Sequence, residues 1–421
     1  MSENLPALED YRHGVRTWLE ANLDRREEAT GRFGFSNEIT EERLAEQRAI
    51  QRKIFDAGYA GISWPTAYGG QGLPESYERA FDDEAASFAT PDFGIAGGTT
   101  FGVCARTMLA HASPEFLERH VPKILAGERL FVQFFSDPEA GSDLAGVRTR
   151  ADRAGDNWIL NGSKIWSSGA YYADYGMCLA RTDWDVPKHR GLTWFAVPID
   201  SDGVTVRRIK QITGDAEFCQ EFFDDVELRG DDVIGSVNDG WSVAQTMLFF
   251  ERGGSATAAV EDDAADVRRL PADLIELADR SGKLGDSRVQ DLIVRAHVDA
   301  FAKHQLDLRV GALMKSDPLR ASAYASYSKL ASGVLDPLRA NMALDIAEGA
   351  ATTWSDPETA PQVALDLLNS RFMSIAGGTN EVQRNSIGER VLGLPREPSF
   401  DTQRSFREVI RASLEWSGKV G

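Results

Sequence analysis

The sequence predicts an α+β protein, mostly helical, in which two helical regions flank a β-rich middle. Three observations predict it. Apolar residues recur at three-to-four spacing up to about residue 126 and again after Gly240-Trp241, which places them on one face of a helix. Between those limits the pattern changes to short β-rich runs separated by turn residues. An apolar content of 42% in 421 residues can bury a large core and suggests two or three packed units. The expected regions are helical over 1–127, β over 128–239 and helical over 240–421.

In the first region the periodicity predicts helices over 7–23, 38–58, 75–89 and 114–126. The run Pro65-Thr66-Ala67-Tyr68-Gly69-Gly70-Gln71-Gly72-Leu73-Pro74 is too rich in glycine and proline for a helix and reads as a loop. Strands follow at Leu130 to Phe135, Trp158 to Leu160, Lys164 to Trp166, Leu192 to Val197 and Val204 to Ile209. Asn161-Gly162 lies between two of these runs and predicts a tight hairpin turn, because both central positions of a type I′ turn need positive φ. Helices return over 242–260, 286–312, 318–347 and 380–392, and the acidic patch Glu261-Asp262-Asp263-Ala264-Ala265-Asp266 reads as a solvated surface.

Composition narrows the function. A formal net charge of −19 argues against a nucleic-acid partner and requires any polyanionic ligand to find a local cationic or helix-terminal pocket. No apolar run approaches the roughly eighteen residues that cross a bilayer. Residues 1–20 read as an amphipathic helix, so the expectation is a cytoplasmic or organelle-matrix enzyme without a membrane partner. Cys104, Cys178 and Cys219 form neither a disulfide framework nor a zinc pattern. The six histidines, His13, His111, His120, His189, His297 and His304, show no metal spacing and read as surface or helix-packing residues.

Several motifs occur in a telling order: Tyr68-Gly69-Gly70-Gln71-Gly72, then Phe135-Ser136-Asp137-Pro138-Glu139-Ala140-Gly141-Ser142-Asp143, then Asn161-Gly162-Ser163-Lys164-Ile165-Trp166, and finally Gly377-Gly378-Thr379-Asn380-Glu381-Val382-Gln383-Arg384. In this order and spacing they resemble the acyl-CoA dehydrogenase family over essentially the whole chain. The resemblance implies an N-terminal helical domain, a central β-barrel-like domain, a C-terminal four-helix bundle and FAD held between subunits. It also implies α,β-dehydrogenation of an acyl-CoA thioester. That chemistry needs a base for the α-proton, an acceptor for the β-hydride, and donors for charge building on the thioester oxygen. No side chain accepts hydride, so a flavin must.

By this resemblance the Ser136 hydroxyl and Phe135 backbone face the pyrimidine side of the isoalloxazine and Trp166 packs on the ring system. Ser168 stands where threonine is usual and directs its hydroxyl to flavin N5, with the Ser167 backbone beside it. Gly141 and Ser142 let the backbone approach the cofactor and thioester. Read without the resemblance, Trp166 is a core aromatic, Ser136 and Ser168 are turn residues, and Gly141-Ser142 is a polar turn. Asp137 replaces the usual glutamate, and its shorter carboxylate puts that residue's ion pair in question.

Gly377 stands where many members carry the catalytic glutamate. Glu251, in Leu248-Phe249-Phe250-Glu251-Arg252-Gly253-Gly254, matches the position from which the isovaleryl- and long-chain-type members supply the base, on the first long helix after the β domain. Two phenylalanines and two glycines around it predict a poorly solvated carboxylate with a raised pKa; the alternative is a structural ion pair with a distant arginine. The Gly377 amide keeps a donor for the thioester oxygen while the missing side chain enlarges the pocket for a branched or bulky acyl group; the alternative is drift in a subunit that never needed the glutamate. Glu381 resembles a residue used near the adenine end. Thr379 matches a cofactor-binding position and is equally suited to cap a helix.

The family's arginine-containing motif for the FAD pyrophosphate has no clean match in Arg280-Ser281-Gly282-Lys283-Leu284-Gly285-Asp286-Ser287-Arg288, where Arg280 and Arg288 are the candidates, and the glycine-rich segment before the tail is altered to Ile346-Ala347-Glu348-Gly349-Ala350-Ala351. Three readings follow. The chain is a dehydrogenase using Glu251, assembled as a homodimer or homotetramer and passing electrons to an electron-transferring flavoprotein. It is a non-catalytic or half-site subunit of a heteromer with a second dehydrogenase-like chain. Or it is a flavin oxidase or monooxygenase on the same fold.

Overall fold

The N-terminal periodicity forms α1 (Leu8–Asn22), whose Val15 and Leu19, one turn apart, are fully buried. The computed structural model describes residues 5–26, 39–251, 268–353, 360–399 and 401–415. The chain divides into two compact units, one of Met1–Lys210, Ala216–Met247 and Phe400–Gly421, the other of Gln211–Asp215 and Leu248–Ser399.

In the first unit α2 (Glu41–Asp56) starts where the Thr40 hydroxyl accepts from the Arg43 amide. Helix α3 (Glu75–Ala85) follows the glycine-rich loop. Next come α4 (Gly94–Gly97), a π-helical turn (Gly98–Cys104) and α5 (Ala105–His111). The periodicity does not announce these three, because four glycines dilute the apolar stripe and a π turn departs from 3.6 residues per turn. Helix α6 (Pro114–Leu125) starts on two capping features, the Ser113 hydroxyl accepting from the Phe116 amide and proline at the first helical position. His120 on α6 is buried between Phe116 and Phe131, and burial, aided by Arg129, lowers its pKa to about 3.

The β region is one eight-stranded sheet in the order β6-β7-β3-β2-β4-β5-β8, with β1 beside β4. Its strands are β1 (Phe131–Phe134), β2 (Arg150–Ala154), β3 (Asn157–Ser168), β4 (Tyr175–Arg181), β5 (Leu192–Pro198), β6 (Val204–Arg208), β7 (Phe218–Leu228) and β8 (Val233–Ile234). Alternation along β4 and β5 splits the core. Met177, Leu179, Trp194 and Ala196 pack with the N-terminal helices, while Cys178, Ala180, Phe195 and Val197 join a second cluster with Trp158 and Phe223.

The Asn161-Gly162 hairpin is corrected here. β3 runs unbroken through both residues, and the hairpin turn is Gly155-Asp156, between Ala154 and its partner Asn157. Gly162 instead sits at a register shift against β7, at φ 135°, where a Cβ would lie 2.8 Å from the Thr149 Cα. Glycine is needed there for a bulge and a close backbone approach, not for a turn.

Helix α7 (Gly240–Glu251) reaches the second unit at Leu248. The expected continuation to residue 260, with Arg252, Gly253-Gly254 and the acidic patch, lies outside the described residues. In the second unit α8 (Ala272–Arg280), α9 (Ser287–Ser316), α10 (Ala321–Ala347), α11 (Gly349–Thr353) and α12 (Ala360–Ser370) precede α13 (Asn380–Ser386). Their core gathers Leu274, Leu277, Ile293 and Ile346. The tail docks on α10 at Gly333, whose carbonyl accepts from Ser374 Oγ at 2.8 Å and Asn380 Nδ2 at 3.1 Å. A side chain at 333 would meet Asn380 at 2.1 Å, so glycine is required for that contact. Helix α14 (Phe406–Glu415) belongs to the first unit, with Phe406 stacked on Trp184 and under the Arg181 guanidinium. Among the described residues no helix is long and apolar enough to cross a membrane.

Candidate active site

A second register shift in β3, between Ile165 and Ser167, displaces Trp166 from the ladder. Trp166 takes φ 69°, a left-handed conformation that costs an aromatic residue energy and is kept where structure enforces it. Its side chain is 58% exposed, with the ring edge-on to Phe218. The reading of Trp166 as a core aromatic is therefore excluded. Ser168 is half-buried beside it, and Ser167 points inward, its hydroxyl donating to buried Glu221.

The same edge carries the first motif. Ile165 N donates to the Ser136 carbonyl at 2.9 Å, and Lys164 Nζ donates to the Phe135 carbonyl at 2.8 Å. Phe135, Ser136, Trp166, Ser167 and Ser168 are thus brought together by neighbouring backbone. Asp137 makes an ion pair despite its shorter side chain. Its carboxylate takes Lys164 Nζ at 2.6 Å, Thr149 Oγ1 at 2.9 Å and the amides of Arg148 and Thr149, and both charged side chains are essentially inaccessible.

The following loop is braced at its far end. Buried Arg181 donates to the carbonyls of Ala145, Val147 and Lys188, and burial lowers its pKa to about 10. Lys188 pairs with Asp143 at 2.7 Å and Asp401 at 2.5 Å. Gly141 and Ser142 are left exposed between these anchors, and a Cβ at 141 would meet open space.

In the second unit Gly377 and Gly378 have φ 65° and 95°. Gln383, fully buried, donates to both their carbonyls at 2.9 and 3.2 Å. Lys329 of α10 donates to the Met373 carbonyl. A Cβ built on Gly377 would lie 3.3 Å from Lys329 Cε and 3.5 Å from Glu251 Oε1. Glu251 is exposed, which corrects the expectation of a poorly solvated carboxylate; Phe249 and Phe250 before it are themselves only half-buried. Thr379 caps α13 by accepting from the Val382 amide at 3.2 Å. Glu381 is largely exposed and pairs with Arg384 at 3.5 Å.

The two adenine-end candidate segments also meet. Lys283 Nζ reaches Glu348 and the Ile346 carbonyl, each at 2.9 Å. Arg280 pairs with Glu276 one turn away, and Arg288 lies exposed at the start of α9. Sequence reasoning missed Lys329, Gln383 and Glu221. The first two had a signal, a cation in a sparsely charged helix and a glutamine inside the tail motif; Glu221 had none beyond a carboxylate amid Phe218, Cys219, Phe222 and Phe223. The thiols of Cys178 and Cys219 are buried, and burial raises them to about 12 and 11, which leaves both unreactive. No cluster suited to a metal occurs among the described residues.

These features define a class. Family models of the N-terminal, middle and C-terminal domains of acyl-CoA dehydrogenases match residues 8–128, 133–226 and 238–392, and the chain belongs to that family. It is 36% identical to "Acyl-CoA dehydrogenase IpdE1" of Mycobacterium tuberculosis over 93% of this chain and 98% of that one. The protein of the same name from Mycolicibacterium smegmatis is 35% identical over 93% and 98%. Among solved structures, the Tcur3481-Tcur3483 steroid ACAD is similar at TM-score 0.68 and 25% identity, covering 94% of this chain and 99% of that one. The ChsE4-ChsE5 complex from Mycobacterium tuberculosis is similar at 0.65 and 26%, covering 94% and 100%.

The family's cofactor is FAD. The edge fits it chemically: an exposed indole offers a planar apolar surface, and half-buried serines at 136 and 168 offer hydroxyls for a heteroaromatic rim.

Proposed function

We propose that the chain catalyses α,β-dehydrogenation of a bulky, ring-bearing acyl-CoA thioester, with Glu251 removing the α-proton. The observation that carries this reading is the position of Glu251 Oε1, 3.5 Å from where a side chain at 377 would begin. A carboxylate there reaches the space from which a glutamate at 377 would act. The absent side chain leaves room for acyl bulk. The Gly377 amide is the donor for the thioester oxygen, on a loop whose carbonyls are tied down by Gln383, so the loop is preorganised for developing negative charge.

Phe135, Ser136, Trp166, Ser167 and Ser168 hold the isoalloxazine, with Gly141 and Ser142 beside it. Bound FAD supplies the hydride acceptor. Thr379 and Glu381 lie toward the adenine end, where Arg280 and Arg288 are the candidate pyrophosphate ligands. An electron-transferring flavoprotein is the acceptor. The substrate class is supported by the similarity to a structure titled a steroid ACAD.

Anaerobic bleaching of flavin absorbance by a panel of straight, branched and polycyclic acyl-CoA thioesters tests the reading. Polycyclic or branched thioesters are expected to bleach the wild type, and Glu251→Gln to slow bleaching by about 10²- to 10⁴-fold, the usual contribution of a general base. Equal rates in the variant, or preference for straight medium chains, would sink it. A second reading, a chain that completes its site with a different dehydrogenase-like subunit, is supported by the two-component naming of both similar structures. It predicts a colourless protein when the chain is expressed alone.

A further inference from the structure

Glu221 is the one fully buried carboxylic acid on β7, and nothing in the proposed chemistry uses it. It lies across the ladder from Lys164 on β3 and from Val206 on β6. Its Oε1 accepts from the Ser167 hydroxyl, while its buried Oε2 has no hydrogen-bond partner in the structure. An apolar residue would fill this place without the penalty of burying a polar group. Ser167 is the first paired residue after the β3 bulge, so whatever holds Ser167 also holds the left-handed Trp166 before it and Ser168 after it.

We propose that Glu221 is a positioning residue for the flavin-facing edge: by holding Ser167 from within the sheet, it fixes the bulge that presents the Trp166 indole and the Ser168 hydroxyl to the isoalloxazine. The proposal rests on the reading that this edge receives FAD.

The carboxyl is uncharged when it does so. The charged and titratable groups around it are Lys164 on β3, Asp137 in the loop after β1, Cys178 on β4 and Cys219 on its own strand. The Lys164 charge is already matched by Asp137 at 2.6 Å. Burial raises the Glu221 pKa from 4.5 to about 8, opposed by the Ser167 hydrogen bond and by Lys164. The bare Oε2 agrees, since a carboxylate with one oxygen unsolvated is heavily penalised. Between those two pH values the folded chain holds a proton that the unfolded chain has released. The stability this proton contributes is complete below the lower value and lost as pH rises through the upper one.

The test measures FAD affinity, by quenching of flavin fluorescence on titrating apoprotein, and the pH dependence of apoprotein melting. The variants are Glu221→Gln, Glu221→Leu, Ser167→Ala and Trp166→Ala. Glu221→Leu and Ser167→Ala should each weaken FAD binding about tenfold, as expected for loss of one buried hydrogen bond. Glu221→Gln, which can still bond Ser167, should stay within about threefold of wild type, and its melting temperature should lose the wild-type fall between pH 4.5 and about 8. Wild-type affinity in Glu221→Leu and Ser167→Ala, with Trp166→Ala weakened, would overturn the proposal; so would an unchanged pH slope in Glu221→Gln. If Glu221→Leu fails to fold, Ser167→Ala and the glutamine pH slope decide. Unchanged affinity in Trp166→Ala would instead remove the reading that places FAD on this edge, and the proposal with it.

Discussion

At the β3 edge proposed to receive the flavin, each group presented outward is backed by a buried one: Trp166 and Ser168 flank Ser167 on Glu221, and Ser136 follows Phe135, whose carbonyl takes Lys164 paired to Asp137. Around Gly377 the side chains hold backbone instead. Gln383 and Lys329 hold backbone carbonyls, and the residues beside them are two glycines and an exposed carboxylate. The edge is fixed by side-chain chemistry within a sheet; the tail is a held backbone that presents glycine at 377 and 378. A loop held through its carbonyls keeps its supports whatever side chain it carries, so the tail should tolerate substitution better than the edge.

The largest effect expected from breaking this comparison is Glu251→Gln, a loss of about 10²- to 10⁴-fold in thioester-driven bleaching. Because glutamine keeps the shape and hydrogen-bonding reach of this exposed side chain, thermal stability should change little. A variant that is both slow and strongly destabilised would mean that the tail, like the edge, is structurally committed to its carboxylate.

Next comes Asp137→Ala, which leaves Lys164 buried without its ion-pair partner. Removing one member of a buried pair costs about 3–5 kcal/mol, so the melting temperature should drop by several degrees and FAD should be lost on purification. Replacing the pair together, Asp137→Leu with Lys164→Met, should recover much of the stability without restoring FAD affinity. Full recovery of both would show that the pair stabilises the sheet alone.

Much of this was legible in the sequence, for reasons that differ by region. Helices α1, α2, α3 and α6 follow amphipathic spacing, whereas the caps at Thr40 and Ser113 that set two of their starts were not read from it. Motif order singled out Phe135, Ser136, Trp166, Ser167 and Ser168, which neighbouring backbone brings together. Asn161-Gly162 misled because glycine marks both turns and bulges, and only the proximity of Thr149 tells them apart. The solvation of Glu251 was misjudged because flanking aromatics on a helix point to different faces from the residue they flank. Glu221 and Lys329 act across strand and helix pairings that no local pattern encodes.

Gly377→Ala should have a smaller effect. A side chain at φ 65° is strained, by about 1–3 kcal/mol, and its Cβ would crowd Lys329 at 3.3 Å while resting in ordinary contact with Glu251 at 3.5 Å. Melting should fall modestly, and turnover of the bulkiest thioesters should fall more than that of slim ones. A stabilised variant with an unaltered substrate profile would mean that neither the left-handed backbone nor the open space matters.

The smallest effect is expected at Thr379, where the same residue matches a cofactor position and caps α13. Thr379→Ala removes the acceptor for the Val382 amide, a loss of about 1 kcal/mol for an N-cap. Thr379→Ser keeps that acceptor and should melt like the wild type. FAD affinity sharpens the contrast between the two regions. If the alanine variant loses affinity in proportion to its lost stability and serine restores both, Thr379 serves by holding the start of α13. If affinity falls in both variants while melting falls only in alanine, the threonine methyl itself touches the cofactor, and the tail shares the side-chain commitment otherwise seen at the edge.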